Sequence, residues 1–212
     1  MDNVVQGSPE WFQARLGMVT ASKIVDVMSK GRGNAESVTR KNYMAQLVAE
    51  RLSGQASEGF TNAAIEWGNE CEPQARATYE VLTDRSVQEV GFIPHPSITM
   101  AGASPDGLVG DKGLIEIKCP NTATHIETMR ADKIDRKYAL QMQWQMECTG
   151  REWCDFVSFD PRLPANASLH IIRVDCDEEL QSEIRKAVTT FLEELNALET
   201  ELRQRGESEA VA

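Results

Sequence analysis

"SPDGLVGDKGLIEIKCP", residues 104–120, is the stretch on which the reading of this chain turns. In "GLIEIK" apolar and charged residues alternate, the period of a β-strand. Leu114, Glu116 and Lys118 then share one face, and Ile115 and Ile117 share the other. "VGDKG" (109–113) is turn chemistry, so the chain folds back and brings Asp106 beside Glu116. Two carboxylates converge there, with an ammonium next to them. Close carboxylates repel, and a hard divalent cation such as Mg²⁺ removes that penalty through oxygen ligands. Lys118 could orient or deprotonate a water beside such a metal, or steady charge on a phosphate. An ordinary hairpin with its charges in water explains the same spacing. Two features favour the site: "SPDG" fixes the backbone around Asp106, and the isoleucines pack Glu116 and Lys118 onto a rigid strand.

Working outward, residues 85–93 ("RSVQEVGFI") and 97–104 ("SITMAGAS") read as strands before the hairpin. A helix over 135–149 closes at Gly150. Strands 153–159 and 168–174 follow, and a last helix spans about 177–204. The first third is helical. Ser8-Pro9-Glu10 starts a helix that Gly17 ends. A second helix begins near Thr20 or Ser22 and carries Ile24, Val25, Val27 and Met28. "KGRGNAE" (30–36) is a loop, 37–53 a helix stopped by Gly54, and 62–82 a helix in which Pro73 implies a kink or a late start. The order predicts an α/β (α+β) fold, a mixed central sheet flanked by helices. The 212 residues suit one domain, over 1–205, with a frayed tail at 206–212.

The net charge is −11, and residues 177–212 contribute −6 of it. An acidic chain lacks the basic footprint usual in nucleic-acid binders. The five cysteines (71, 119, 148, 154, 176) form no CxxC pair, and the three histidines show no zinc spacing, which fits reduced thiols in a cytoplasm. With no signal peptide and no apolar run near 18 residues, neither secretion nor a membrane span is expected.

Three further clusters could carry chemistry. "WGNECEPQA" sets Glu66, Glu70 and Glu72 along one helix, where most glutamates are simply solvated. "KYALQMQWQM" puts Tyr138, Gln141 and Gln145 on one helix face, either in solvent or as donors to a phosphate or water. Tyr138 and Gln143 are additional candidates. Arg15, Thr20 and Ser22 gather where one helix ends and the next begins, a natural anion site or merely a capped helix with a surface arginine.

"RLGMVTASKI", "WGNECEPQAR", "SPDGL…GLIEIKCP" and "YALQMQWQM" occur in the order seen in the YqaJ-like viral recombinase (alkaline exonuclease) family, which includes phage lambda exonuclease. The resemblance covers about residues 9–175. It implies the restriction-endonuclease-like PD-(D/E)xK fold. It also implies Mg²⁺-dependent 5′→3′ digestion of one strand of double-stranded DNA, leaving a 3′ overhang for recombination by strand annealing. Mn²⁺ is expected to substitute, and Ca²⁺ to inhibit. By the resemblance Asp106 and Glu116 match metal-binding acids, the Ile117 carbonyl a backbone metal ligand, Lys118 the catalytic lysine, Glu72 the helix glutamate and Gln141 the helix glutamine. Arg15, Thr20, Ser22 and Ser104 match positions around a 5′ phosphate. Arg32 resembles a groove-contacting arginine, and Ile65 an apolar wedge between bases. A homotrimeric ring, a single-strand-annealing partner and the cytoplasm of a phage- or prophage-bearing bacterium are also implied. The alternatives are a distributive endonuclease or repair nuclease on this fold, or a silent DNA-binding scaffold subunit. Intact Asp106, Glu116 and Lys118 argue against the silent one.

Overall fold

The computed structural model describes residues 4–31, 36–56 and 63–209. Helix α1 (Pro9–Ala14) starts where expected: Ser8 Oγ accepts from the Trp11 amide at 3.2 Å, and proline occupies the first turn. Beyond it Gly17 has φ +66°, and a Cβ there would meet Arg51 Cγ at 2.5 Å. Glycine is needed because the helix carrying Glu50 and Arg51 approaches so closely: Arg51 Nε donates to the Gly17 carbonyl at 2.8 Å, and the Gly17 amide donates to Glu50 Oε2 at 2.9 Å.

Val19–Thr20 is a strand, β1, and not the start of the next helix. It pairs in parallel with β4 (Ala101–Ala103), a partner no local pattern announces. A 3₁₀ turn (Ala21–Lys23) and the short helix α2 (Ile24–Val27) follow. Helix α3 (Val38–Ser53) is capped by Ser37 and closed by Gly54 in the left-handed conformation, as read from the sequence. Helix α4 runs unbroken over Ala63–Thr83 with Pro73 inside it, so the late start is excluded. Proline has no N–H, so the Asn69 carbonyl one turn back loses its helical donor.

The stretch 85–93 is not one strand. β2 (Val87–Gln88) and β3 (Ile93–Pro94) belong to different sheets. Residues 97–104 contribute only β4, because the chain turns before it: His95 Nδ1 accepts from the Ser97 and Ile98 amides, and Met100 has φ +64°. The larger sheet has the order β2-β5-β6-β7-β8, with β5 at Gly107–Val109, β6 at Gly113–Lys118, β7 at Trp153–Phe159 and β8 at Leu169–Asp175. Only β6 and β7 run parallel; the other pairs are antiparallel. The sheet is therefore mixed, as expected.

Helix α5 (Thr122–Ala131) was not anticipated; Asn121 caps it directly after Pro120. Helix α6 (Arg136–Thr149) ends at Gly150 as expected. Helix α7 (Glu178–Glu209) continues past 204, so residues 206–209, read as frayed tail, lie within the helix, and 210–212 lie outside the described residues.

The two faces of β6 divide the core. Ile115 and Ile117 pack with Cys71, Ala75 and Tyr79 of α4. Leu114 packs with Met142 and Met146 of α6. A third cluster joins Val19, Ile24, Tyr43, Leu47 and Trp144 to Phe191 and Leu195 of α7. Burial of each such side chain favours folding by roughly 1.5–3 kcal/mol. Helices thus clamp β6 from both sides, and its charged residues inherit that rigidity.

Candidate active site

In the β5–β6 hairpin Gly107 stands opposite Ile115, Leu108 opposite Leu114 and Val109 opposite Gly113. One residue further, Asp106 faces the end of β6, and its Oδ2 accepts from the Ile117 amide at 2.6 Å. Glu116 is fully buried. Its Oε1 accepts from Lys118 Nζ and from Gln141 Nε2 (2.6 Å), and its Oε2 from Gln145 Nε2 (2.6 Å). A buried carboxylate without such partners would be strongly destabilising. Gln141 and Gln145 lie one turn apart on α6, which is why both reach the same acid.

Glu72 comes from α4 and meets Asp106, Ile117, Lys118, Tyr138 and Gln141 around a cleft of about 790 Å³. Lys118 Nζ lies 5.4 Å from the centre of the Tyr138 ring. Burial, then the charge of Glu116, pushes the Asp106 carboxyl well above its ordinary pKa. Burial also raises Glu72, opposed by Arg76 and Lys118. Burial would lower Lys118, but the charges of Glu116 and Asp106 outweigh it and hold its pKa above the usual lysine value. Glu72, Asp106 and Lys118 thus line a poorly solvated cleft, and the buried Glu116 bonds to Lys118 and Gln141 of its wall.

Among the described residues no three His, Cys, Asp or Glu side chains form a preformed metal cage. The donor set nonetheless fits Mg²⁺, which typically takes one or two carboxylates, keeps several waters and accepts substrate phosphate oxygens. Asp106 and Glu116 are the two acids so placed, with Glu72 and the Ile117 carbonyl alongside.

A smaller pocket of about 140 Å³ adjoins the cleft, lined by Gln6, Trp11, Arg15, Thr20, Ala21, Ser22, Ser104 and Gln141. Ser22 and Gln141 border both spaces. All four residues assigned to a 5′ phosphate therefore gather in one place. Arg15 stacks on Trp11, 4.1 Å from the ring centre, and donates to Thr20 Oγ1 at 3.3 Å. Trp11 Nε1 donates to Ser104 Oγ at 3.0 Å. The Tyr43 hydroxyl accepts from the Thr20 amide at 3.3 Å, and burial pushes that phenol up to about 12. Burial lowers the Arg15 pKa, yet a guanidinium stays charged.

Not every candidate joins the site. Gln143 is turned to the opposite end of the sheet, where Nε2 donates to the Asp175 carbonyl at 2.9 Å and Oε1 accepts from the Asp177 amide at 3.0 Å. Two residues along a helix is about 200° of rotation, so Gln143 cannot share a face with Gln141. Gln145, one turn on, takes the position by Glu116. Its signal was the i+4 spacing from Gln141. Glu66 and Glu70 are exposed. Arg32 lies outside the described residues, as does the side chain of Ile65, whose backbone belongs to α4.

Comparison with known proteins bears on this geometry. No curated protein matches the chain. An alkaline exonuclease (LHK-Exo) from Laribacter hongkongensis is 51% identical over 95% of this chain and 99% of its own, with a TM-score of 0.89. The structure of LHK-Exo in complex with dAMP matches equally well. A phage related exonuclease from Haemophilus somnus is 18% identical, over 87% of this chain and 96% of its own, and shares the fold at a TM-score of 0.69. The mixed sheet that carries Asp106, Glu116 and Lys118 is thus the restriction-endonuclease-like PD-(D/E)xK core. The model of the YqaJ-like viral recombinase domain matches residues 10–152, more than half of the sequence, and the chain belongs to that family.

Proposed function

We propose that this chain is a Mg²⁺-dependent DNA exonuclease that digests one strand of a duplex from its 5′ end and leaves a 3′ single strand for recombination by annealing. The carrying observation is that the Asp106–Glu116–Lys118 cluster and the Arg15–Thr20–Ser22–Ser104 pocket adjoin through Ser22 and Gln141. An acid cluster alone suits many hydrolases. An anion pocket beside it suits one that measures from a phosphorylated end. The kinship with an alkaline exonuclease, solved also with a nucleoside monophosphate, supports the same reading.

The geometry supports the following roles. Asp106 and Glu116 would hold Mg²⁺, with Glu72 and the Ile117 carbonyl beside them. The metal supplies charge stabilisation at the phosphate and a more acidic bound water. Gln141 and Gln145 fix both oxygens of Glu116 and leave it no rotational freedom. Lys118 shares Glu116 Oε1 and faces the cleft, where it can orient the attacking water or stabilise charge on the phosphate. Arg15 and the hydroxyls of Thr20, Ser22 and Ser104 would bind the terminal phosphate, so that the next phosphodiester lies over the acids.

The acidic balance bears on assembly. Electrostatic capture of DNA depends on clustered bases and fades steeply with salt. A homotrimeric ring around the duplex would retain DNA by enclosure, with the bases near Arg15, Lys23 and Lys118 turned inward. Light scattering at micromolar concentration should give a trimer. For the activity itself, linear duplex should be degraded with Mg²⁺ and spared with a chelator, while a covalently closed circle survives both. Equal digestion of the circle would replace the exonuclease by an endonuclease on the same fold.

A further inference from the structure

A second hollow, about 220 Å³, lies behind the acids and is lined by Val4, Gln6, Glu72, Arg76, Glu89 and Asp106. Glu72 and Asp106 border both this hollow and the main cleft. Arg76 follows Glu72 by one helical turn on α4. Its Nη2 lies 2.5 Å from Glu72 Oε1, and its Nη1 lies 2.9 Å from Glu89 Oε1. The Arg76 side chain is only 12% exposed, whereas Glu89 is 70% exposed. Nearby, Gln6 Nε2 donates to the carbonyls of Val90 (2.9 Å) and Pro105 (2.8 Å). Two ties therefore converge behind the acids: Arg76 joins α4 to the segment after β2, and Gln6 joins that segment to the residue preceding Asp106.

We infer that Arg76 is a positioning residue that fixes the Glu72 carboxylate for the divalent cation, with Glu89 as its outer anchor. Glu72 sits on a flexible side chain at the edge of the cleft, unlike Glu116, which strand and helix saturate with donors. Something must select its rotamer, and the planar guanidinium is suited to do so because its fork directs two carboxylates at once. The pairing also offsets the repulsion among Glu72, Asp106 and Glu116 before a cation arrives. Partners behind metal ligands commonly govern metal affinity in this way.

The inference rests on the proposed metal-dependent reading, and the test separates the two. Mn²⁺ is titrated into the full chain without DNA, by calorimetry or electron paramagnetic resonance, and steady-state digestion is measured alongside. Arg76→Met should weaken Mn²⁺ binding about tenfold or more and lower kcat, leaving KM for DNA ends unchanged. Arg76→Lys should recover part of both losses, and Glu89→Gln should show a smaller weakening in the same direction. Because Arg76→Met removes a partly buried charge, its fold is checked by circular dichroism, and Arg76→Lys and Glu89→Gln carry the test if it fails to fold. Variants that lose thermal stability yet bind Mn²⁺ like the wild type would make Arg76 purely structural and overturn the inference. A wild-type chain that binds no Mn²⁺ would instead overturn the proposed function, and this inference with it.

Discussion

The wall around Glu116 and the pocket around Arg15 adjoin, yet they are built by different means. Glu116 projects from the middle of the sheet, is fully buried, and receives three side-chain donors from β6 and α6. Arg15 ends a six-residue helix, bonds a residue of a two-residue strand and shares its pocket with a 3₁₀ turn. Among the described residues its own side chain makes one hydrogen bond, at 3.3 Å, and one stacking contact. The first region is positioned by backbone ladders and packed helices. The second is positioned by individual ties, such as the grip of Glu50 and Arg51 on Gly17. On the proposed function, chemistry intolerant of displacement sits on regular elements and recognition of a strand end on short ones. Damage to the first should therefore abolish turnover, and damage to the second should change which ends are chosen.

The largest effects are expected at the acids and the lysine. Asp106→Asn, Glu116→Gln and Lys118→Met should each cost about a thousandfold or more in turnover, with the circular dichroism spectrum unchanged. Near-normal digestion by any of them would break the assignment. Gln145→Leu comes next. Removing one fixed donor from Glu116 should reduce turnover by about 10–100-fold, read from single-turnover digestion.

Arg15→Ala should have a smaller and selective effect. Charge-assisted bonds to phosphate contribute about 1.5–3 kcal/mol, so wild-type protein should favour 5′-phosphorylated over 5′-hydroxyl ends by roughly tenfold or more. The variant should lose most of that preference and little of its rate on 5′-hydroxyl ends. Equal wild-type rates on both ends would return Arg15 to an ordinary surface role. Gln143→Leu sharpens the contrast from the other side. It sits on the same helix as Gln141 but serves β8 and α7, so urea unfolding should register a loss of about 1–3 kcal/mol while turnover stays unchanged.

The sequence carries this division unevenly. The hairpin of Asp106, Glu116 and Lys118 was legible because strand period and turn chemistry are local. So were the caps at Ser8, Gly54 and Gly150. The pairing of Val19–Thr20 with Ala101–Gly102 was not, because it joins segments some eighty residues apart and two residues give no period. Helix α5 escaped because its apolar residues are few and none of them is buried, His125 being its one buried residue; Asn121 after Pro120 was the available signal. The break between β2 and β3 depends on a change of sheet, which alternation along the chain does not encode. Gln145 was legible as a donor on the face of Gln141, whereas Gln143, also a candidate, lies on another face, as helical geometry alone requires. Arg76 carried its signal in the i+4 spacing from Glu72. That spacing on a helix usually marks a solvated pair, and its place behind the acids emerges only from the fold.

The most direct test of the central claim is the order in which labels leave a linear duplex. Duplex with 5′-phosphorylated ends is labelled at either the 5′ or the 3′ terminus and digested with Mg²⁺, and products are sampled through the first fraction of the reaction. A site that seats the terminal phosphate by Arg15, Thr20, Ser22 and Ser104 and cuts over Asp106 and Glu116 should release the 5′ label at once as mononucleotide. The 3′ label should stay in long single strands. Early release of the 3′ label, or of both together, would contradict the account.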